Sequence, residues 1–312
     1  MAKKRKINYL RVILIILILL LLFFVSFWII KFNLSKKENT FNISDLKINE
    51  IDYSSSKEFD FDLNSKEYLL MRLNDYKVLY SKGNDIRIYP ASLTKILTMD
   101  TVLSNVNDVN ETSYFTDEQY YELISEDSSM AGLKTYEDYS IDELLNALAL
   151  PSGGDAAVCL ENYFDNKGLD LIDEMNNKCS NLNLTNSHFT NPTGLHDDNL
   201  YTSLDDYAKI VIDTLFKDEG KKVLKTNEYI THDNIKCLST LSFLTGKDDV
   251  VKVYGGKTGY TLEVGMNIMC LFEADNRSYL LILANAPGSP YEGGVPGHIE
   301  DVKKILDNLF RK

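Results

Sequence analysis

The chain has 312 residues, 44% hydrophobic and 25% charged, which is the composition of a globular protein and not of a disordered one. Its net charge of −13 joins two unlike parts: residues 1–37 hold eight basic residues and no acidic one, while residues 38–312 hold 25 basic and 46 acidic residues, a net −21. So acidic a body repels phosphate backbones, which argues against nucleic-acid binding, and the four cysteines (159, 179, 237 and 270) are too few for a disulfide scaffold and too scattered for a zinc site.

Residues 12–30 (VILIILILLLLFFVSFWII) form an uncharged run of 19. At 1.5 Å per residue it reaches about 28 Å, close to the thickness of a bilayer's hydrocarbon core. Its exit, Trp28-Ile29-Ile30-Lys31, lacks the small residues of a signal-peptidase site, and five basic residues precede it. The segment therefore predicts an uncleaved signal anchor with a cytoplasmic tail at 1–11 and everything after residue 31 outside the cell, at the membrane surface. Residues 31–65 are polar and weakly periodic and predict a stalk, leaving 66–312 as the folded domain.

Within that domain, residues 68–73 and 77–80 predict a hairpin. A helix is predicted from Ser92 to about residue 103, opened by a polar cap. Residues 116–210 are mainly helical in pattern, with helices at 141–150, 156–163, 169–179 and 204–215. Strands return at 250–254, 264–273 and 279–284, and an amphipathic helix at 298–310 closes the chain. Strands, then helices, then strands predict an α+β fold: an antiparallel sheet flanked by helices, with a mostly helical lobe inserted.

Three short motifs carry chemistry. Ser92-Leu93-Thr94-Lys95, at the start of a helix, places a hydroxyl and an amine on one face, one turn apart. A desolvated lysine there can lose its proton and serve as base to the serine. Two other Ser-x-x-Lys matches, at Ser44 and Ser54, fall in the polar stalk and serve as controls for chance. Pro151-Ser152-Gly153-Gly154-Asp155 lies between two helices. Read plainly it is a helix stop and start with Asp155 as cap; read chemically, Ser152 projects into a cleft. Gly255-Gly256-Lys257-Thr258-Gly259-Tyr260, on a strand edge, lets a ligand backbone approach while Lys257 and Thr258 offer donors to a carboxylate.

In this order, 60 and then 105 residues apart, the motifs resemble the serine penicillin-recognising signature of the β-lactamase and penicillin-binding-protein fold. Met130-Ala131-Gly132-Leu133, residues 144–157 (LLNALALPSGGDAA), Met175-Asn176 and residues 188–195 (HFTNPTGL) narrow the resemblance to the D-alanyl-D-alanine carboxypeptidases, over residues 67–312. The resemblance implies that Ser92 is the nucleophile, Lys95 its base and Ser152 a proton relay. It further implies that Lys257, Thr258, Gly259 and Tyr260 bind substrate, with the N–H groups of Ser92 and Tyr260 as the oxyanion hole. The implied substrate is a peptidoglycan stem peptide ending in D-Ala-D-Ala, with β-lactams as inhibitors. No metal or other cofactor is implied, and His188, His196, His232 and His298 are set aside as structural.

Endopeptidase cleavage of cross-links and non-catalytic wall binding are the rival readings. β-Lactamase activity ranks third, because no Glu-x-x-Leu-Asn stands between Ser152 and Lys257. The sequence departs from the family pattern at Gly154, where the motif usually ends in asparagine; Asp155 or water is the expected substitute. It departs again after Gly259, where only 53 residues follow, so the resemblance implies that the N-terminal anchor stands in for a C-terminal tail.

Overall fold

The computed structural model describes residues 51–245, 250–289 and 295–311. The predicted cytoplasmic tail (1–11), membrane span (12–30) and first part of the stalk lie outside the described residues. Among those described, no helix is long and apolar enough to cross a membrane. By internal contacts the chain divides into Met1–Phe41, all outside the described residues, and Asn42–Lys312, which holds the fold.

The hairpin β1 (Glu67–Arg72) and β2 (Lys77–Lys82) opens the domain, followed by a 3₁₀ turn at Ala91–Leu93 that runs into α1 (Thr94–Asn105). Next come β3 (Thr112–Ser113), α2 (Asp117–Ser125), β4 (Tyr139–Ser140), α3 (Ile141–Ala149), α4 (Gly154–Asn166) and α5 (Leu171–Asn181). After an irregular stretch follow α6 (Leu204–Phe216), α7 (Asp218–Leu224), β5 (Glu228–Ile230) and β6 (Lys236–Leu238). The chain returns through β7 (Val251–Thr261), β8 (Gly265–Ala274), β9 (Arg277–Ala286) and α8 (Gly297–Leu309). The short ribbons β3–β4 and β5–β6 and helix α7 have no counterpart in the sequence reading.

β2-β1-β9-β8-β7 form one antiparallel sheet, with β7 on an edge. Helices cover both faces, which is why β8 and β9 read as almost continuous apolar runs instead of alternating. Ile268, Cys270, Phe272, Leu281 and Leu283 point to one face and pack with Ile299, Val302, Ile305 and Leu306 of α8. Their neighbours Met269, Leu271, Leu280 and Ile282 are equally buried on the other face, where α6 contacts β1 and β9. Each such fully buried aliphatic side chain contributes about 1.5–3 kcal/mol. α1 runs through the middle of the helical lobe: every residue from Thr94 to Val102 is buried. All four cysteines are buried free thiols, as expected for Cys159 and Cys270.

The stalk boundary at residue 65 is corrected by the packing of residues 51–65. Asp52 and Lys57 bridge to Lys77 and Tyr80 of β2. Phe59 stacks on Tyr80 with ring centroids 4.3 Å apart and joins the α8 core, and the N–H groups of Asn64 and Ser65 donate to the Asp301 carboxylate at 2.9 and 2.7 Å. Phe59, Phe61 and Leu63 supply the apolar contact that the surrounding acids disguise.

Candidate active site

Ser92 sits in the 3₁₀ turn ahead of α1, and the helix carries no side-chain cap at its start, so the predicted polar cap is absent. The turn is instead held from several sides. Ala91, just before Ser92, adopts φ +50°, a left-handed conformation that surrounding structure must enforce. Asn267 of β8, fully buried, donates through Nδ2 to the carbonyls of Tyr89 and Pro90 at 2.9 and 3.3 Å. Its Oδ1 accepts the N–H of Asn285 at 2.9 Å. The Tyr207 hydroxyl on α6 donates to the Leu93 carbonyl at 3.1 Å. On β7, a Cβ at Gly259 would lie 2.9 Å from the Pro90 carbonyl oxygen and 3.1 Å from the Ser92 nitrogen, so only glycine lets the strand approach this closely.

Lys95 lies one turn on from Ser92, and its Nζ is 3.2 Å from Ser92 Oγ. It also donates to the Thr193 carbonyl at 2.6 Å. That carbonyl belongs to the HFTNPTGL segment, whose shape is set by Asn191. The Asn191 Oδ1 accepts from Thr193 N, Thr193 Oγ1 and Gly194 N at 3.2, 2.9 and 2.7 Å, while its Nδ2 donates to the Leu195 carbonyl at 3.0 Å. Gly194, at φ +80°, lies against the backbone of Ala91: a Cβ there would meet its carbonyl oxygen at 1.9 Å. Asn176 fastens the near end of the segment through both its amide groups to the backbone of Phe189. These contacts tie Asn176 and the 189–195 segment to the backbone around Ser92 and Lys95.

Burial pushes the Lys95 amine down to about 7 from the ordinary 10.5, with the Asp155 carboxylate partly opposing. Lys257 on β7 is fully buried and is also lowered, mainly by burial and further by the charge of Lys95. It donates to the Thr258 carbonyl at 2.9 Å and does not line the cavity in front of Ser92. Next to it in the motif, Thr258 does line the cavity, and its Oγ1 pairs with Oγ1 of Thr240, another lining residue, at 2.9 Å. Thr240 was not singled out from sequence.

The cavity, about 710 Å³, brings together Ser92, Ser152, Thr258, Gly259 and Tyr260. Ser152 adopts φ +70°. It is 6% exposed, and its Oγ has no hydrogen-bond partner among the described residues. An unpaired buried hydroxyl is costly, so its natural partner is whatever enters the cavity. The expectation that Asp155 stands in for the missing asparagine is overturned. Its carboxylate accepts the N–H groups of Ala131, Gly132 and Leu133, each at 2.9 Å, and so fixes a loop instead of facing Ser92. Nor does it cap α4, whose cap is Gly153 without a side-chain bond. Two of the histidines set aside, His196 and His298, do line the cavity.

A family model described as D-alanyl-D-alanine carboxypeptidase matches residues 53–287. The D-alanyl-D-alanine carboxypeptidase DacF of Bacillus subtilis is 27% identical over 250 residues, covering 79% of this chain and 62% of that one. The Streptomyces K15 DD-transpeptidase shares the fold, with a TM-score of 0.70 at 22% identity over 80% of this chain and 98% of that one. Penicillin binding protein 5 of Haemophilus influenzae gives 0.68 at 26% identity, over 80% and 72%. This chain spans about three fifths of the length of the curated relatives it matches first. With the family model covering three quarters of the sequence, the chain belongs to the D-alanyl-D-alanine carboxypeptidase family.

Proposed function

We propose that the protein removes the terminal D-alanine from peptidoglycan stem peptides through an acyl-enzyme on Ser92, and that penicillins acylate the same serine. The observation that carries the reading is the Ser92–Lys95 pair, a hydroxyl 3.2 Å from a fully buried amine whose burial pushes it down to about 7. Lys95 takes the Ser92 proton as Oγ attacks the carbonyl between the two D-alanines. Charge on the carbonyl oxygen is met by the N–H groups of Ser92 and Tyr260, which the close approach of Gly259 to Ser92 N supports. The C–N bond then breaks, Ser152 passes a proton to the leaving amine, and D-alanine departs. Water, deprotonated by the same base, cleaves the ester and restores Ser92. The terminal carboxylate is held at Thr258 and Thr240, with Lys257 behind them.

Residues 12–30 anchor this domain to the cell membrane, with the catalytic domain on the outer side, where its substrate lies. Intact-mass spectrometry of the penicillin-treated full-length chain tests the assignment. One adduct on wild type and none on Ser92→Ala is expected; an adduct that survives Ser92→Ala refutes the nucleophile. Release of D-alanine from a pentapeptide tests the reaction.

A further inference from the structure

Gly154 leaves a side-chain position empty beside Ser152, and the space is already filled. A Cβ at Gly154 would lie 2.2 Å from Ser128 Oγ and 3.2 Å from both Leu123 Cδ2 and the Ser129 carbonyl oxygen. The Gly154 N–H donates to that Ser129 carbonyl at 2.6 Å. The Asp155 carboxylate then clamps the following residues through Ala131, Gly132 and Leu133. The segment between α2 and β4 is thus tied to the first turn of α4 at its backbone, and it presents Ser129 as part of the cavity wall, together with Ser92 and Ser152. The edge strand β7 lines the same cavity at Thr258 and Gly259. A peptide extended along an edge strand pairs one side of its backbone with the strand and leaves its other side for the rest of the lining. The hydroxyl of Ser129, an exposed residue that lines the cavity, has no hydrogen bond to any described residue.

We propose that Ser129 is a substrate-positioning residue, its hydroxyl donating to a backbone carbonyl on the acyl side of the bond to be cut, from the loop whose Ser128 hydroxyl and Ser129 carbonyl pack against Gly154. The inference rests on the functional reading above and adds to it a residue that the three motifs do not contain. Ser128 is assigned only the filling of space under Gly154.

The test compares wild type, Ser129→Ala, Ser129→Thr and Ser128→Ala as full-length chains in detergent, with diacetyl-L-Lys-D-Ala-D-Ala as substrate. Losing one neutral hydrogen bond to substrate should lower kcat/KM about tenfold in Ser129→Ala. The loss should fall mainly in KM, with penicillin uptake still one per chain and Tm unchanged. Ser129→Thr, which keeps the hydroxyl, should recover most of it, and Ser128→Ala should stay within about twofold of wild type. An active wild type with an unimpaired Ser129→Ala overturns the inference alone. So does a Ser129→Thr as impaired as the alanine variant, or a Ser128→Ala that loses as much. A wild type that neither takes up penicillin nor releases D-alanine overturns the functional reading, and this inference with it.

Discussion

Acylation of Ser92 should depend on pH through Lys95, and the structure sets both the direction and the size of the effect. Burial holds the amine near 7. At pH 7 about half of the molecules then carry it neutral, whereas a lysine at 10.5 would be neutral in about one molecule in three thousand. A base must be unprotonated to act, so the acylation rate should rise with pH, reach half its plateau near pH 7, and fall to about one hundredth of the plateau at pH 5. Stopped-flow acylation of the full-length chain by a chromogenic cephalosporin between pH 5 and 9 reads this directly. Lys95→Arg supplies the complementary perturbation. A guanidinium stays charged throughout the range, so that variant should lose about 10²–10⁴ in rate and show no rising limb near pH 7. A rate that is flat from pH 5 to 9, or a midpoint near 10 in the wild type, would refute Lys95 as the base and the burial argument with it.

Three further outcomes follow from the packing. Gly194→Ala forces a methyl into the Ala91 carbonyl oxygen, 1.9 Å away; it should destabilise the protein by about 1–3 kcal/mol in urea unfolding and slow acylation at least about tenfold, because the same residues shape the Ser92 turn. Asp155→Ala strands three backbone N–H groups and should cost about 3 kcal/mol in the same assay, with an unchanged unfolding midpoint as the contrary result. Phe59→Ala removes a ring that stacks on Tyr80 and packs at a tilt against Tyr68. It should cost about 3 kcal/mol while leaving acylation untouched; a silent substitution would mean that residues 51–65 are the free stalk suggested by their polarity.

What could be read in the sequence was what is written contiguously. Ser92 and Lys95 are three residues apart on one helix, and β8 and β9 advertise their two-sided burial in their own composition. Asn267 could not be found this way, because its partners Tyr89 and Pro90 lie 178 and 177 residues away, and a lone asparagine in an apolar strand looks like a blemish. Thr240 and Tyr207 were hidden for the same reason. The 51–65 segment was a different failure: Phe59, Phe61 and Leu63 alternate with Asp60 and Asp62, a period-two signal that average polarity concealed. The three blocks around 130, 175 and 190 were visible as resemblance, but their purpose became plain only when Asn191, Asn176 and Asp155 proved to be scaffolding for the backbone around Ser92 and Ser152.

Lys257 shows most clearly what a motif leaves out. Read as letters, Lys257-Thr258-Gly259 suggests an ammonium waiting for a carboxylate. Desolvation is invisible in that spelling. In the fold the amine is fully buried, its proton affinity is lowered, and the nearby charge of Lys95 lowers it further. Two buried amines in one neighbourhood disfavour each other's protons, so the pair cannot rest comfortably with both charged. In the proposed reaction, a substrate carboxylate entering at Thr258 and Thr240 adds a negative charge on the Lys257 side of the pair. That charge favours protonation of Lys257, and a protonated Lys257 favours the neutral form of Lys95, the form able to deprotonate Ser92. In that reaction a free terminal carboxylate helps to prepare the base that deprotonates Ser92, whereas an amidated terminus does not. In the proposed reaction, a preference for a carboxy-terminal D-alanine would arise as much from the burial of Lys257 as from its charge.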